Sequence, residues 1–137
     1  MRAHLEHDQL PLAALACSWL LKLAVRRDDK DAILKRGAEL DALVDGMRHP
    51  VHGELILYRL FRAFIWLSEH QIGARDPIDY LRRAHRELMR KLAYLPPKMR
   101  HQFLFNVRDH EELLNVAVEH DLSLPSFSAP TAVIPTE

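Results

Sequence analysis

The sequence predicts an all-α fold of about six helices, arranged as antiparallel pairs stacked into a short α-solenoid. Three observations carry that expectation. Apolar residues recur at helical spacing along the 137-residue chain, and strand-like alternation is nearly absent. Only 4 glycines occur, and no glycine-rich loop. The periodic segments come in pairs joined by short polar turns, with Asp76-Pro77 opening one helix and Pro96-Pro97 closing it.

The first helix is expected over residues 9–27. Asp8 is its candidate N-cap, and Pro11 is tolerated in a first turn, where a missing N–H has no helical partner to lose. Leu12, Leu15, Ala16, Trp19, Leu20 and Leu23 make one wide apolar face. The second helix is expected over residues 30–45, capped by Asp28 or Asp29. Ile33, Gly37, Leu40, Val44 and Met47 form a narrow seam suited to an antiparallel neighbour, with Gly37 allowing close approach and Gly46 as the stop.

The third helix is expected from Pro50 or Val51 to Gly73. Its run LILYRLFRAFIWL is apolar on most of its circumference, which predicts burial between two layers with Leu57, Leu60, Phe61, Phe64 and Leu67 in the core. The fourth helix carries an apolar stripe of Ile78, Leu81, Ala84, Leu88, Leu92 and Leu95. A short fifth helix over residues 97–106 presents Met99, Phe103 and Val107. The sixth opens on Asp109 and Glu112, which read as a capping box, and continues through Leu113, Leu114, Ala117 and Val118. Residues 9–122 thus make the helical domain, after an N-terminal extension of residues 1–8. The tail over residues 123–137 has three prolines and no helical period, and is expected to be disordered.

Composition excludes several function classes. Lys+Arg and Asp+Glu both number 19, so neither nucleic acid nor an anionic membrane is the expected partner. The single cysteine, Cys17, cannot form an internal disulfide and reads as a small core residue of a cytoplasmic protein. The longest apolar run is too short to span a bilayer.

Leu12-x-x-Leu15-Ala16-x-x-Trp19 repeats in outline as Leu57-x-x-Leu60-Phe61-x-x-Phe64, and Leu34-Lys-Arg-Gly37 as Leu81-Arg-Arg-Ala84. Self-similar helix pairs mark an α-solenoid. With this spacing the chain resembles the tetratricopeptide-repeat superfamily, although Phe61 stands where that pattern has a small residue. The closing segment, from Leu95-Pro-Pro through Phe103-Leu104 and Val107 to Leu113-Leu114, is similar to the C-terminal end of such repeat regions in large bacterial signalling and transcription regulators. Arg108 replaces the proline that commonly follows the valine. The resemblance implies a non-catalytic, regulatory protein-interaction module that binds a protein, a peptide or preceding repeats of its own polypeptide. It also implies that the first helix of each pair lines the concave side, which nominates Tyr58, Arg59, Arg62 and Glu69 for contact. A two-pair stack leaves the first helix uncovered, so its apolar residues need a preceding repeat or a second copy of the chain.

Chemistry-bearing patterns are few. His49-Pro-Val-His52 with Glu54 is the one close histidine pair, and no second ligand set backs a metal site. His101, His110 and His120 read as solvated. No nucleophile elbow, Walker loop or dinucleotide fingerprint occurs, so neither an enzyme nor a cofactor is expected. Arg82, Arg83, Arg86 and Arg90 share the polar face of the fourth helix. They form a possible anionic-ligand or nucleic-acid face, set against a solvated face paired with Glu87, Glu39, Asp41 and Asp45. A different class of function is a small-ligand sensor, with an apolar cavity lined by Trp19, Phe64, Trp66 and Phe103.

Overall fold

The helix boundaries follow the punctuation of the sequence. The computed structural model describes residues 10–45, 47, 52–73, 76–105 and 107–122. Among these lie six helices and no strand: α1 Leu10–Arg26, α2 Lys30–Asp45, α3 Gly53–Glu69, α4 Pro77–Ala93, α5 Pro97–Phe105 and α6 Arg108–Glu119. None of these helices is long and apolar enough to cross a membrane. The readings placed on Asp8, Gly46, His49, Pro50, Val51 and the tail lie outside the described residues.

Two helices start on side-chain caps. Asp29 Oδ1 accepts from the Ala32 amide at 3.2 Å, and Asp76 Oδ1 from Ile78 at 3.0 Å with Pro77 next to it. Three helices end alike. After α1, α3 and α6 the chain turns through a left-handed residue, Asp28 (φ 53°), Gln71 (φ 61°) and Asp121 (φ 62°). In each case the next amide reaches back to a carbonyl five residues earlier: Asp29 to Ala24, Ile72 to Leu67 and Leu122 to Ala117, at 3.0, 2.7 and 2.9 Å. These are Schellman closures with a non-glycine residue in the left-handed position; α3 ends at Glu69, four residues before the Gly73 expected as its end.

The nearly all-apolar α3 is the centre. It packs on α1, α2, α4 and α6, and every residue from Gly53 to Phe61 is buried. Leu57, Leu60, Phe61 and Leu67 are in the core as expected, with Phe64 half-buried against the Tyr80 ring of α4 at 5.0 Å. Along α2 the seam Ile33, Gly37, Leu40 and Val44 is buried, and α4 buries Leu81, Ala84, Leu88 and Leu92.

The face of α1 differs from the expectation. Its buried residues are Ala14, Cys17, Ser18, Leu21 and Ala24, whereas Leu12, Trp19 and Leu20 are 66%, 48% and 44% exposed. α1 has large apolar residues on more than one face, so hydrophobicity alone did not fix its rotation. Polar contacts of Ser18 and Lys22, described below, favour the observed one. Other registers shift in the same way. Among the described side chains of α5 the buried one is Leu104, with Phe103 half-buried and Met99 exposed; Val107 and Val118 are also exposed. Gly37 does not serve close approach, since a Cβ built there meets no heavy atom within 4 Å.

Two substitutions follow from the backbone. Gly37→Ala is expected to stabilise the fold by about 0.5–1 kcal/mol, because it removes the helical cost of glycine where space is free. Gln71→Gly is expected to add a similar ~0.5–1 kcal/mol by relieving a left-handed non-glycine residue. Urea unfolding with an unchanged m-value checks both. A loss of stability in Gly37→Ala would mean that the added methyl meets a neighbour of α2 after all.

Candidate functional site

Two buried carboxylates join α6 to the rest of the molecule. The first is Asp109, in the first turn of α6 and 3% exposed. Arg59 of α3 donates to its Oδ2 from Nε at 3.1 Å and from Nη2 at 2.9 Å. Lys22 of α1 donates to Oδ1 at 3.0 Å and Oδ2 at 3.2 Å. The remaining nitrogen of Arg59, Nη1, donates to Ser18 Oγ at 2.9 Å, and that hydroxyl donates to the Leu15 carbonyl at 2.7 Å. The Trp19 ring lies 5.1 Å from the Lys22 ammonium and 5.2 Å from the Arg59 guanidinium. Burial alone would raise the Asp109 pKa. Hydrogen bonds from Lys22 and Arg59, together with their charges, outweigh it and hold the carboxyl below its ordinary value.

The second carboxylate is Glu54, in the first turn of α3. Lys91 at the end of α4 donates to Oε1 at 2.5 Å, and His110 Nε2 lies 2.7 Å from Oε2. The other ring nitrogen, Nδ1, donates at 2.9 Å to the Phe103 carbonyl of α5, an oxygen that can only accept. His110 is therefore a buried clamp across α3, α5 and α6, not the solvated residue the sequence suggested. Burial pushes Glu54 upward, but hydrogen bonds from His110 and Lys91 and the Lys91 charge bring it down to about 2.

Above Asp109 lies a cleft of about 250 Å³ between α1, α3 and α6. Lys22, Val25 and Arg26 form one wall, Tyr58, Arg59 and Arg62 the second, and Arg108, Asp109 and Glu112 the third. The Tyr58 hydroxyl donates to Glu112 Oε1 at 3.2 Å; burial pushes that hydroxyl's pKa up, so it stays neutral. Beside the cleft, and sharing Arg59 with it, an open groove of about 870 Å³ runs along α1, lined by Leu12, Leu15, Ala16, Trp19, Leu20 and Leu55. No group of three potential metal ligands occurs among the described residues.

The chain matches no family model, no curated protein and no solved structure.

The residues nominated from the sequence fall in several places. Tyr58, Arg59 and Arg62 meet in the cleft, while Glu69 lines a shallow depression near Trp66 and His120. On α4, Arg82 and Arg86 are exposed, Arg83 lies over the Tyr80 ring at 5.6 Å, and Arg90 pairs with Glu87 at 3.0 Å. Glu39 pairs within α2, with Arg36, and Asp41 accepts from the Tyr80 hydroxyl at 2.7 Å. The four aromatics Trp19, Phe64, Trp66 and Phe103 do not gather. Phe64 stacks on Tyr80, Trp66 stacks on His70 and donates to Asp28, Phe103 packs on His110, and Trp19 faces the groove. Cys17 is buried, with its thiol pKa raised by burial.

Asp109 is a correction to the capping-box reading. α6 begins at Arg108 with Val107 as N-cap and no side-chain cap, and the Asp109 carboxylate turns inward to cations. The available signal was on the other partner: Glu54 and Arg59 are charges embedded in an apolar helix, and buried charges need partners.

The depressed carboxylates predict a pH profile. Each ionises more readily folded than unfolded, so the unfolded chain takes up protons first as pH falls. The stability from Glu54 is complete above its ordinary 4.5 and drains as pH falls toward about 2. The full span amounts to about 3 kcal/mol. The stability gap between wild type and Glu54→Gln is expected to narrow steadily below about pH 5. A gap that holds constant down to pH 2 would contradict the ionised Glu54 assignment.

Proposed function

We propose that this chain is a non-catalytic protein-interaction module whose working surface is the apolar groove along α1. The observation that carries the reading is the exposure of Leu12, Trp19 and Leu20 on one side of a helix, beside the half-buried Leu15. Leu12, Ala16, Trp19 and Leu20 stand at offsets of four, seven and eight residues, the spacing at which one helix receives another. Contiguous apolar surface of this kind is a recognised sign of an interaction site.

The occupant is an amphipathic helix, supplied by a partner protein or by an adjoining helix pair of the same polypeptide. In that arrangement α1–α2 and α3–α4 are consecutive units of a short solenoid resembling tetratricopeptide repeats, and α5–α6 is its closing cap. Resemblance of residues 95–114 to the ends of repeat regions in bacterial signalling and transcription regulators supports a role as the C-terminal regulatory part of such a protein. Recognition is by shape and apolar contact and needs no reactive group.

The double substitution Leu12→Glu with Leu20→Glu tests this. The wild type is expected to bind an apolar-surface dye such as anilinonaphthalenesulfonate, or to self-associate with rising concentration in sedimentation. The variant is expected to lose both while its unfolding free energy changes by less than about 0.5 kcal/mol, as at exposed positions. A wild type that neither binds dye nor associates would contradict the proposal. So would a variant destabilised by more than about 2 kcal/mol, which would mean that the face belongs to the fold's own core.

A further inference from the structure

The cleft between α1, α3 and α6 concentrates positive charge well beyond what folding requires. Five cationic side chains, Lys22, Arg26, Arg59, Arg62 and Arg108, line a concavity of about 250 Å³ that contains only two carboxylates, Asp109 and Glu112. The whole sequence is neutral, with 19 Lys+Arg against 19 Asp+Glu, so the excess is a local arrangement and not a bias of composition. Asp109 accounts for Lys22 and Arg59. Glu112 lies 3.7 Å from Arg108, whose side chain is 87% exposed, so that pairing is loose. Arg62 hydrogen-bonds the Tyr58 hydroxyl, and among the described residues no carboxylate pairs with Arg26 or Arg62. Like charges gathered in a concavity repel, and the repulsion is relieved when an anion enters.

From this arrangement we infer that the cleft is a binding site for a phosphate monoester. Three features select that chemistry. Arg26, Arg62 and Arg108 are guanidinium forks, which suit phosphate oxygens better than a compact ammonium does. They approach from three different helices, so a tetrahedral dianion can be met from several sides where a planar monoanion cannot. The cleft is large enough for a phosphate and a short organic stem. Val25 and the Tyr58 ring supply the wall for that stem. The Asp109 carboxylate is the positioning element: it fixes Lys22 and Arg59 as the floor and leaves the three outer arginines to the ligand. This inference is independent of the α1 groove.

Titration of the full chain with inorganic phosphate and with O-phosphoserine, at low ionic strength, tests it. Changes in the amide spectrum of α1, α3 and the first turn of α6 are the readout, with acetate as the monoanionic control. Both phosphate probes are expected to bind saturably, and O-phosphoserine at least as tightly as the free ion. Arg26→Ala with Arg62→Ala is expected to weaken binding by at least about ten-fold. These side chains are at the protein surface, and an unchanged thermal midpoint confirms that the variant is folded. Glu112→Gln removes a competing carboxylate and is expected to tighten phosphate binding about two- to five-fold, a gain that a damaged fold cannot produce. The inference is overturned by acetate binding as tightly as phosphate, by the double-arginine variant keeping wild-type affinity, by Glu112→Gln weakening the binding, or by changes confined to the α4 face around Arg82 and Arg86.

Discussion

A carboxylate buried at the start of α6 sets the arrangement of three helices. Asp109 has two cationic partners, one from α1 and one from α3, and Arg59 continues the chain of hydrogen bonds to Ser18. Turning α1 away would strip Asp109 of its Lys22 bonds and Arg59 Nη1 of its Ser18 partner, and a buried hydrogen-bonding group left unsatisfied costs about 1–3 kcal/mol, more when it is charged. The polar cluster therefore favours this rotation of α1 about its own axis. With Ser18 and Lys22 turned toward Arg59 and Asp109, the small residues Ala14, Cys17 and Ala24 face the interior and Leu12, Trp19 and Leu20 face outward. One constraint in the interior thus generates the apolar groove outside.

The same constraint builds the cleft. Asp109 holds Lys22 and Arg59 at its floor, and the first turn of α6 brings Arg108 and Glu112 to its rim. Glu54 does a parallel task on the other side of α6. Through Lys91 and His110 it ties the start of α3 to the end of α4 and, by way of the Phe103 carbonyl, to α5. The proline-rich break after α4 is followed by a helix with little core of its own, since Leu104 is its buried apolar residue among those described. The His110 clamp holds α5 in place together with the buried Leu104 and the half-buried Phe103. Stability of the closing segment and shape of both surface sites are consequences of the same few charged contacts.

Helix number, order and the proline-marked boundaries were legible in the sequence because they rest on local chemistry. Asp76-Pro77 starts a helix and Pro96-Pro97 separates two others whatever the remainder of the chain does. The burial of α3 was legible from its circumference. The facing of α1 was not, because it depends on Ser18 and Lys22 meeting residues 41 and 87 positions away. Asp109 misled because an acidic residue three before Glu112 has the pattern of a cap, and only the fold puts Arg59 beside it. His110 misled because its partners are 7 and 56 residues distant. Tyr58, Arg59 and Arg62 were nominated for their helix, and the structure adds the other two walls from α1 and α6, which no local pattern foretells. The three helix ends closed by Asp28, Gln71 and Asp121 were invisible for a simpler reason, a non-glycine residue in the left-handed position.

A double-mutant cycle between Arg59 and Asp109, read by urea unfolding, tests the central claim most directly. Truncating Asp109 to Ala leaves the buried Arg59 without a carboxylate and is expected to cost about 3–5 kcal/mol; truncating Arg59 leaves Asp109 with Lys22 alone and is expected to cost less; removing both is expected to cost no more than the worse single change, a coupling of at least about 2 kcal/mol. Lys22, 24% exposed, can still reach water in each variant and does not obscure the result. Two costs that add to within about 0.5 kcal/mol would show that the pair does not act as a unit, and the seating of α6 on α3 would need another cause.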